Sequence, residues 1–309
     1  MKVYRGIEGF EKPDFAVVTS GTFDGVHAGH RRILARLKEL ADARGGETVL
    51  VTFWPHPRHV LDPEGRAPML LSELDEKIEL LEDCGLDHLV ILPFTRSLSE
   101  TSSLDFIKTI LLDGIGTKML VIGYDHRFGK NREGGFAFLK EKQSEFGFEL
   151  EEITPVEIRN SAISSTKTRA FLESGDVKSA SGLLNRPYGL RGEVVHGRKV
   201  GRLLNYPTAN IEVRSEYKLI PKDGVYAVRV EVDGQKFGAM MNIGHKPTFE
   251  QNARSIEAHM FDFSGDIYGK VIRIEFVDRI RNEMKFSSKN ELMDQLKLDE
   301  INSKTILGM

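Results

Sequence analysis

The chain has 309 residues, enough for about two domains. Hydrophobic residues make up 40% of it and charged residues 29%, as in ordinary globular proteins, and a net charge of −3 argues against a nucleic-acid-binding or membrane-surface protein. The single cysteine, Cys84, excludes an internal disulfide, and the sequence has no apolar leader and no apolar run of about 18 residues, so we expect a cytoplasmic protein.

Short β-rich runs alternate with helical patterns between residues 14 and 183. The predicted strands are 15–20, 48–53, 88–92, 119–123 and 149–153. The predicted helices, with apolar residues three and four positions apart, are 29–45, 72–85, 103–114 and 134–147. This alternation predicts an α/β fold with a doubly wound parallel sheet, whose ligands bind at the carboxyl ends of the strands.

The pattern changes after Asn185-Arg186-Pro187, which predicts one domain over 1–185 and a second over 186–309. The second domain has predicted strands at 192–197, 224–232, 235–244, 255–263 and 271–280. Asp233-Gly234 between two of them is a strong hairpin signal. A helix over 287–307, capped by Ser287 or Ser288, completes a predicted small β-barrel with a terminal helix.

The segment GTFDGVHAGH (21–30) joins the first predicted strand to the first helix. Its glycines allow backbone N–H groups at the helix N-terminus to approach phosphate oxygens. His27 and His30 lie on one side of the first helical turn, where two imidazoles can stabilise charge that develops at a phosphorus atom. The plainer alternative is a capped helix with two surface histidines.

Two further segments have the composition of phosphate-binding sites. GYDHRFGKNREG (123–134) follows the fourth predicted strand and mixes basic residues with glycines. This composition suits a loop that lies over a polyphosphate or a flavin phosphate, and it also suits a charged loop in solvent. SSTKTR (164–169) is typical of a helix N-terminus, and Arg169 in its first turns is a candidate to hold a departing pyrophosphate.

In the second domain, Gly197 and Gly201 flank basic residues in a turn that could wrap phosphates, although glycines at strand ends more often mark simple turns. Thr208 and Asn210 share one face if their segment is extended, and their oxygens suit Mg²⁺. Glu257 is a candidate base on a mostly apolar strand, or a residue on its solvent face.

These segments resemble known families. GTFDGVHAGH, TFWPHPRHVL (52–61), VIGYDHRFGKNREG (121–134) and ISSTKTR (163–169) resemble the motifs of bacterial FAD synthetases, members of the nucleotidylyltransferase superfamily. GRLLNYPTAN (201–210), MNIGHKPTF (241–249) and SIEAHMFDFSGDIYGK (255–270) resemble those of riboflavin kinases. Nearly the whole chain is similar to bifunctional bacterial riboflavin kinase/FAD synthetases. Three residues depart from these motifs. His126 stands where Phe is usual, Thr168 where Ile or Val is usual, and Asn205 where Gly is usual.

The resemblance implies a Rossmann-like nucleotidylyltransferase domain followed by a riboflavin kinase barrel. It implies an enzyme that phosphorylates riboflavin with ATP to FMN, then adenylylates FMN with a second ATP to FAD and pyrophosphate. Its small-molecule partners would be riboflavin, FMN, FAD and ATP, with no nucleic acid or membrane, and Mg²⁺ would be the cofactor. The oligomeric state is left open.

The resemblance also implies residue roles. In the first domain, His27 and His30 are the catalytic residues. ATP and its phosphates are bound by Gly21, Phe23, Gly25, Gly29, Ser164, Ser165, Thr166 and Arg169. FMN is bound by Asp125, Arg127 and Phe128. In the second domain, ATP is bound by Gly197, Lys199, Gly201, Arg202 and Thr208. Thr208 and Asn210 hold Mg²⁺, and Glu257 and Asn210 are catalytic.

Two alternatives stay open. The first is a nucleotidylyltransferase for a different phosphate ester, with the barrel as a substrate-binding module. The second is a flavin-binding or regulatory protein that keeps the pockets without turnover.

Overall fold

The structure is a computed structural model that describes residues 1–62, 64–124, 126–153, 163–197, 201, 204–245 and 254–309. Contacts divide the chain into two compact units, Met1–Ser164 and Ser165–Met309. The helical segment 165–184 groups with the second unit, whereas the boundary between residues 185 and 186 stays a sequence-based prediction. No helix in the described parts of the chain is both long and apolar enough to cross a membrane.

The first unit contains a parallel six-stranded sheet in the order β1-β4-β3-β2-β5-β6. Its strands are β1 (Lys2–Arg5), β2 (Ala16–Ser20), β3 (Glu47–Trp54), β4 (His88–Pro93), β5 (Thr117–Gly123) and β6 (Glu149–Ile153). The five predicted strands are confirmed. The edge strand β1 was missed because it is four residues long and mostly exposed, so it has no apolar run.

The strand order reverses between β2 and β5, which are neighbours in the middle of the sheet. The chain proceeds outward from β2 through β3 to β4 on one side, and from β5 to β6 on the other. Loops that leave two such neighbours diverge to opposite sides and open a crevice at their carboxyl ends. Residues 21–30 follow β2, and residues 124 and 126–134 follow β5, so both segments leave the sheet at this crevice.

Helices cover the sheet. They are α1 (Ala28–Arg44), α2 (Pro57–Leu61), α3 (Leu74–Glu82), α4 (Arg96–Ser99), α5 (Ser103–Asp105) and α6 (Phe136–Phe146). The predicted helix at 103–114 continues from α5 as a π-helix, Phe106–Ile115, because an apolar pattern indicates a helix but not its hydrogen-bond spacing. A 3₁₀ turn occupies Lys130–Arg132.

The second unit begins with α7 (Ser165–Ser174) and α8 (Val177–Leu184) and continues as a closed antiparallel barrel. The barrel strands are β7 (Tyr188–Val195), β8 (Ala209–Glu212), β9 (Gly224–Val232), β10 (Gln235–His245), β11 (Arg254–Met260) and β12 (Val271–Arg281), in the order β10-β11-β8-β7-β12-β9. The predicted barrel is confirmed, with β8 added and with β11 three residues shorter at its end than the predicted 255–263.

The hairpin and the terminal helix have the predicted local chemistry. Asp233 and Gly234 both have positive φ (51° and 76°), as a tight turn between β9 and β10 requires. Helix α9 (Lys289–Leu307) starts after Ser288, whose hydroxyl accepts a hydrogen bond from the Glu291 N–H at 3.2 Å. Leu307 packs with Ala227, Met240 and Phe261, which seats α9 on the barrel.

Candidate active sites

The first candidate site is the loop between β2 and α1. Gly21 extends the β2 ladder by donating to the Val51 carbonyl at 3.0 Å. Phe23 and Val26 then adopt left-handed backbone conformations (φ 47° and 40°), which cost about 1–2 kcal/mol each for residues with a Cβ atom. Gly25 also has positive φ, and a Cβ there would lie 2.8 Å from the Leu71 side chain. The loop is therefore held in a strained shape by its surroundings.

Asp24 supplies part of that constraint. Its carboxylate is buried and accepts hydrogen bonds from the backbone N–H groups of Leu71 and Ser72 at 3.1 Å, just before α3. The Ser72 hydroxyl in turn accepts from the Gly25 N–H at 2.9 Å. Asp24 thus holds the loop from inside the protein. Its negative carboxylate faces the Leu71 and Ser72 N–H groups before α3.

The two histidines stack on each other at the start of α1. Their ring centroids are 3.6 Å apart with an interplanar angle of 10°, and Phe23 stacks on His30 at 4.6 Å. His27 caps the helix: its Nδ1 accepts from the His30 N–H at 3.2 Å, so a neutral His27 ring carries its proton on Nε2. The sequence expectation that these imidazoles share one side of the turn is confirmed.

His30 is an uncharged donor at neutral pH. Burial, followed by the charges of His27 and Lys77, lowers the pKa of His30 well below its ordinary value of 6.5. Its Nδ1 is buried and has no hydrogen-bond partner among the described residues. A neutral imidazole at His30, with His27 beside it at the helix N-terminus, can donate a hydrogen bond to a phosphate oxygen.

The loop after β5 faces the same crevice. His126 Nε2 lies 3.3 Å from the Ser20 hydroxyl at the end of β2, so it bridges the two strands where their order reverses. Arg127 is exposed and donates to the His126 carbonyl at 2.9 Å. Asp125, predicted to bind FMN, lies outside the described residues.

Phe128 has a structural role that the sequence did not reveal. Its ring is buried against Phe106, and its backbone pairs with Gly134, whose absent Cβ would lie 2.6 Å from that ring. Phe128 therefore anchors both ends of the loop. Its predicted contact with FMN stays a prediction.

The residues predicted to hold pyrophosphate lie around the start of α7. Two other residues predicted to bind ATP, Gly29 and Phe23, are buried at the loop between β2 and α1. Ser164 ends the first unit, and Ser165, Thr166 and Arg169 belong to the second. Their phosphate contacts stay predictions. Thr168, which departs from the usual Ile or Val, is fully buried and so occupies an interior position.

Lys77 is a residue that sequence reasoning missed. It is only 2% exposed, its ammonium donates to the Thr22 carbonyl at 2.8 Å, and it lies 5.6 Å from the Trp54 ring centroid. Burial lowers its pKa to about 8, against the opposing charge of Asp24. The pattern LDEKIELLE gave no signal, because a lysine beside two acids usually lies on a solvated helix face.

The second candidate site is a cavity of about 300 Å³ between the barrel and α9. Its apolar wall includes Val225, Met240, Met241, Phe286, Leu292 and Leu296. Its polar groups include Thr208, Asn242, Glu257, His259 and Glu283. An apolar cavity with a few convergent polar groups is the usual form of a binding site for a small molecule.

Glu257 is the centre of the polar group. Its carboxylate accepts a hydrogen bond from the Thr208 hydroxyl at 2.9 Å. In the barrel register it is paired with Asn210 on β8 and with Asn242 on β10. The structure therefore brings together Thr208, Asn210 and Glu257, which the sequence predicted as site residues. The pairing of β10 with β11 adds Asn242, which the sequence analysis missed.

The donors here fit Mg²⁺. The Thr208 hydroxyl, the Asn210 amide and the Glu257 carboxylate offer the hard oxygen atoms that this ion prefers. Among the described residues no cluster of three or more His, Cys, Asp or Glu is placed to hold a metal. A magnesium ion here would take further ligands from water and from phosphate oxygens, as it usually does.

At Gly197 and Gly201 the backbone lies so close to neighbouring groups that a side chain would not fit. A Cβ on Gly197 would lie 2.1 Å from Asn210 Nδ2, and one on Gly201 would lie 2.2 Å from the Tyr206 carbonyl. The backbone at Gly197 is thus packed directly against the Asn210 amide. The predicted ATP-binding residues Lys199 and Arg202 lie outside the described residues.

Helix α9 is fastened over the cavity by polar pairs. Arg281 at the end of β12 makes a bidentate contact with the buried Asp299 carboxylate at 2.7 and 2.9 Å. The Tyr206 hydroxyl donates to Glu300 at 3.0 Å. Breaking a buried pair of the first kind costs about 3–5 kcal/mol, so these contacts fix the wall of the cavity.

Gly197→Ala is expected to lower the rate of the riboflavin phosphorylation that the sequence resemblance implies by about tenfold or more, because the added methyl group must displace Asn210. The measurement is the initial rate of FMN formation. Gly182→Ala is the matched control, since a Cβ at this helical position meets nothing within 4 Å. Equal rates for the two variants would contradict the packing argument.

Comparison with known proteins bears on both units. Residues 10–167 match the family model of FAD synthetase, and residues 184–307 match that of riboflavin kinase. The bifunctional riboflavin kinase/FMN adenylyltransferase of Bacillus subtilis (strain 168) is 36% identical over 290 residues, covering 92% of this chain and 90% of the relative. That of Escherichia coli (strain K12) is 35% identical over 312 residues, covering 100% and 99%.

A solved structure has the same architecture over its whole length. It is a protein from Streptococcus pneumoniae described as a macrolide-efflux protein, with a TM-score of 0.87, 32% identity and 98% coverage of both chains. The sequence similarity spans both units in one order and nearly the full length of each relative. The chain therefore belongs to the family of bifunctional riboflavin kinase/FMN adenylyltransferases.

Proposed function

We infer that the chain converts riboflavin to FMN in its barrel unit and FMN to FAD in its sheet unit, with ATP as the co-substrate of each step. The observation that carries this inference is that each matched domain has its own candidate site: the stacked imidazoles where the strand order reverses, and the Thr208–Glu257 pair in the barrel cavity.

In the kinase step, the Glu257 carboxylate accepts the proton of the ribityl 5′-hydroxyl. That oxygen forms a bond to the γ-phosphorus of ATP while the bond from this phosphorus to the β–γ bridging oxygen breaks, giving FMN and ADP. The hydrogen bond from Thr208 holds the carboxylate in place. Thr208 and Asn210 would hold Mg²⁺, which supplies charge neutralisation on the phosphates when bound.

The apolar part of the cavity suits the flavin ring system. Met240, Leu292 and Leu296 offer a surface for an aromatic ring, and the polar group at Glu257 lies in the same cavity. Binding of riboflavin with its ring on this surface brings the ribityl chain toward the carboxylate. Positioning of this kind contributes to the rate because it converts a collision between two molecules into a step within one complex.

In the adenylyl transfer step, a phosphate oxygen of FMN forms a bond to the α-phosphorus of ATP, and the bond to the departing pyrophosphate breaks. The N–H groups of His27 and His30 stabilise the negative charge on the pentavalent phosphorus. The backbone N–H groups at the start of α1 bind phosphate oxygens, and Arg169 is proposed to hold the pyrophosphate. Neither imidazole needs to form a covalent bond.

The direct test uses the full-length protein, riboflavin, Mg²⁺ and ATP labelled either at the α- or at the γ-phosphorus, with chromatography of the products over time. We expect FMN to appear first and FAD later. The γ-label should appear in both flavins, and the α-label only in FAD.

Other products would identify a different activity. FMN without FAD would favour an adenylyltransferase with another acceptor, and FAD only from added FMN would indicate that the barrel binds without catalysing phosphorylation. No flavin product from either substrate would favour a binding protein.

A further inference from the structure

A buried lysine lies directly beneath the loop that precedes α1. Lys77 extends from α3 to the Thr22 carbonyl, with Nζ at 2.8 Å from the oxygen. The buried Thr52 hydroxyl also approaches this carbonyl, at 3.4 Å. Thr22 lies between Gly21 and Phe23 in the loop proposed to bind phosphate, so two donors from inside the protein converge on one loop carbonyl.

Packing alone does not explain a lysine at this position. Removing an ammonium group from water costs several kcal/mol, and a methionine of similar length could fill the same space against Trp54 without that cost. The acidic group whose charge acts on Lys77 is Asp24, and its carboxylate is already bound by the N–H groups of Leu71 and Ser72. The charge of Lys77 is therefore directed mainly at the loop.

The orientation of one peptide group follows from this contact. In a trans peptide the C=O and the next N–H point in opposite directions. The Thr22 carbonyl is turned toward Lys77 and Thr52, so the Phe23 N–H points in the opposite direction, away from these two side chains. A flipped peptide would present a carbonyl oxygen there instead, and an oxygen repels phosphate.

We propose that Lys77 is a positioning residue for adenylyl transfer: its buried ammonium holds the Thr22–Phe23 peptide with the N–H toward the ATP phosphates and adds positive potential behind the loop. The proposal rests on the proposed adenylyl transfer in this unit. Lys77 is buried beneath the loop, so it acts through the loop and through its like-charge effect on His30.

Lys77→Met is the first test, with FAD formation from added FMN as the readout. Losing a charge-assisted hydrogen bond at the loop should lower kcat for FAD formation by about 10- to 100-fold. FMN formation by the barrel unit should be unchanged. Lys118→Met is the matched control, because Lys118 is an exposed lysine on β5.

Thermal unfolding separates this role from a structural one. The lowered pKa means that the unfolded chain holds the Lys77 proton more tightly than the folded protein does, so the buried charge costs stability at neutral pH. Lys77→Met should therefore melt no lower than the wild type. A lower melting temperature together with a kcat for FAD formation within threefold of wild type would overturn the proposal and leave Lys77 a packing residue.

The pH profile of the wild type and of Lys77→Arg is a test that does not depend on the methionine variant folding. The pKa of Lys77 is lowered to about 8, so wild-type kcat/KM for ATP should fall as the pH rises through this value. Arginine stays protonated, so its profile should extend to higher pH. A wild-type profile that is flat to pH 10, or one that Lys77→Arg leaves unshifted, overturns the proposal. A wild type that makes no FAD at all refutes the proposed function itself.

Discussion

Replacing His30 by alanine is expected to abolish FAD formation while FMN still accumulates from riboflavin. His30 stacks between His27 and Phe23 and is neutral at pH 7, so alanine removes one donor to the α-phosphate and the support of the second imidazole. Loss of one preorganised donor at a transition state lowers kcat by about 10²–10³-fold, and the disturbed partner adds to this loss.

The measurement is the rate of FAD formation from FMN and ATP, with FMN formation from riboflavin followed in the same preparation. Arg32→Ala is the control on the same helix, since Arg32 is exposed and contacts Glu39 about two turns further along. It should retain FAD formation within a few fold. If His30→Ala keeps more than a tenth of the wild-type rate, the imidazole pair is not the stabilising group.

Replacing Glu257 by glutamine is expected to have the reverse effect. Glutamine keeps the size of the side chain and an oxygen facing Thr208, but it cannot take the proton of the attacking hydroxyl. General-base catalysis contributes about 10²–10⁴-fold, so FMN formation should fall by that factor. FAD formation from added FMN should be spared, because Glu257 lies in the barrel cavity proposed for riboflavin.

Glu231→Gln provides the matched control for this change. Glu231 is a partly exposed carboxylate on β9 that lies 3.8 Å from the Lys236 ammonium, so its loss should leave both rates within a few fold. Should His30→Ala or Glu257→Gln remove both activities from a folded protein, the assignment of one reaction to each unit is wrong.

Both predictions depend on the assignment of adenylyl transfer to the first unit and of riboflavin phosphorylation to the second. The two halves of the sequence already suggest this assignment. The glycine and histidine spacing of the first motif and the Pro-Thr-Ala-Asn segment of the second have different chemistries: one offers hydrogen-bond donors to phosphate, the other oxygen ligands to a cation. The structure keeps these sets in separate units. The roles of the individual residues stay predictions until the variants are measured.

Local chemistry was readable from the sequence because it depends on neighbours along the chain. Apolar runs and helical periods predicted strands β2 to β6, and Asp233-Gly234 predicted its hairpin, since backbone conformation there is set by the residues themselves. The spacing of His27 and His30 likewise predicted that they share one side of the first turn, whereas the stacking of their rings is seen only in the structure.

Only the tertiary structure decided which distant segments meet. Lys77 reaches a carbonyl 55 positions earlier, and Thr208 binds a carboxylate 49 positions later, while Phe128 is withdrawn into the core by its contact with Phe106. Such contacts depend on how the strands of the sheet and of the barrel pair and pack. The spacing of residues along one segment does not predict them. A lysine in a charged helical pattern therefore looks solvated until α3 is packed against the loop, where burial changes its pKa and its role.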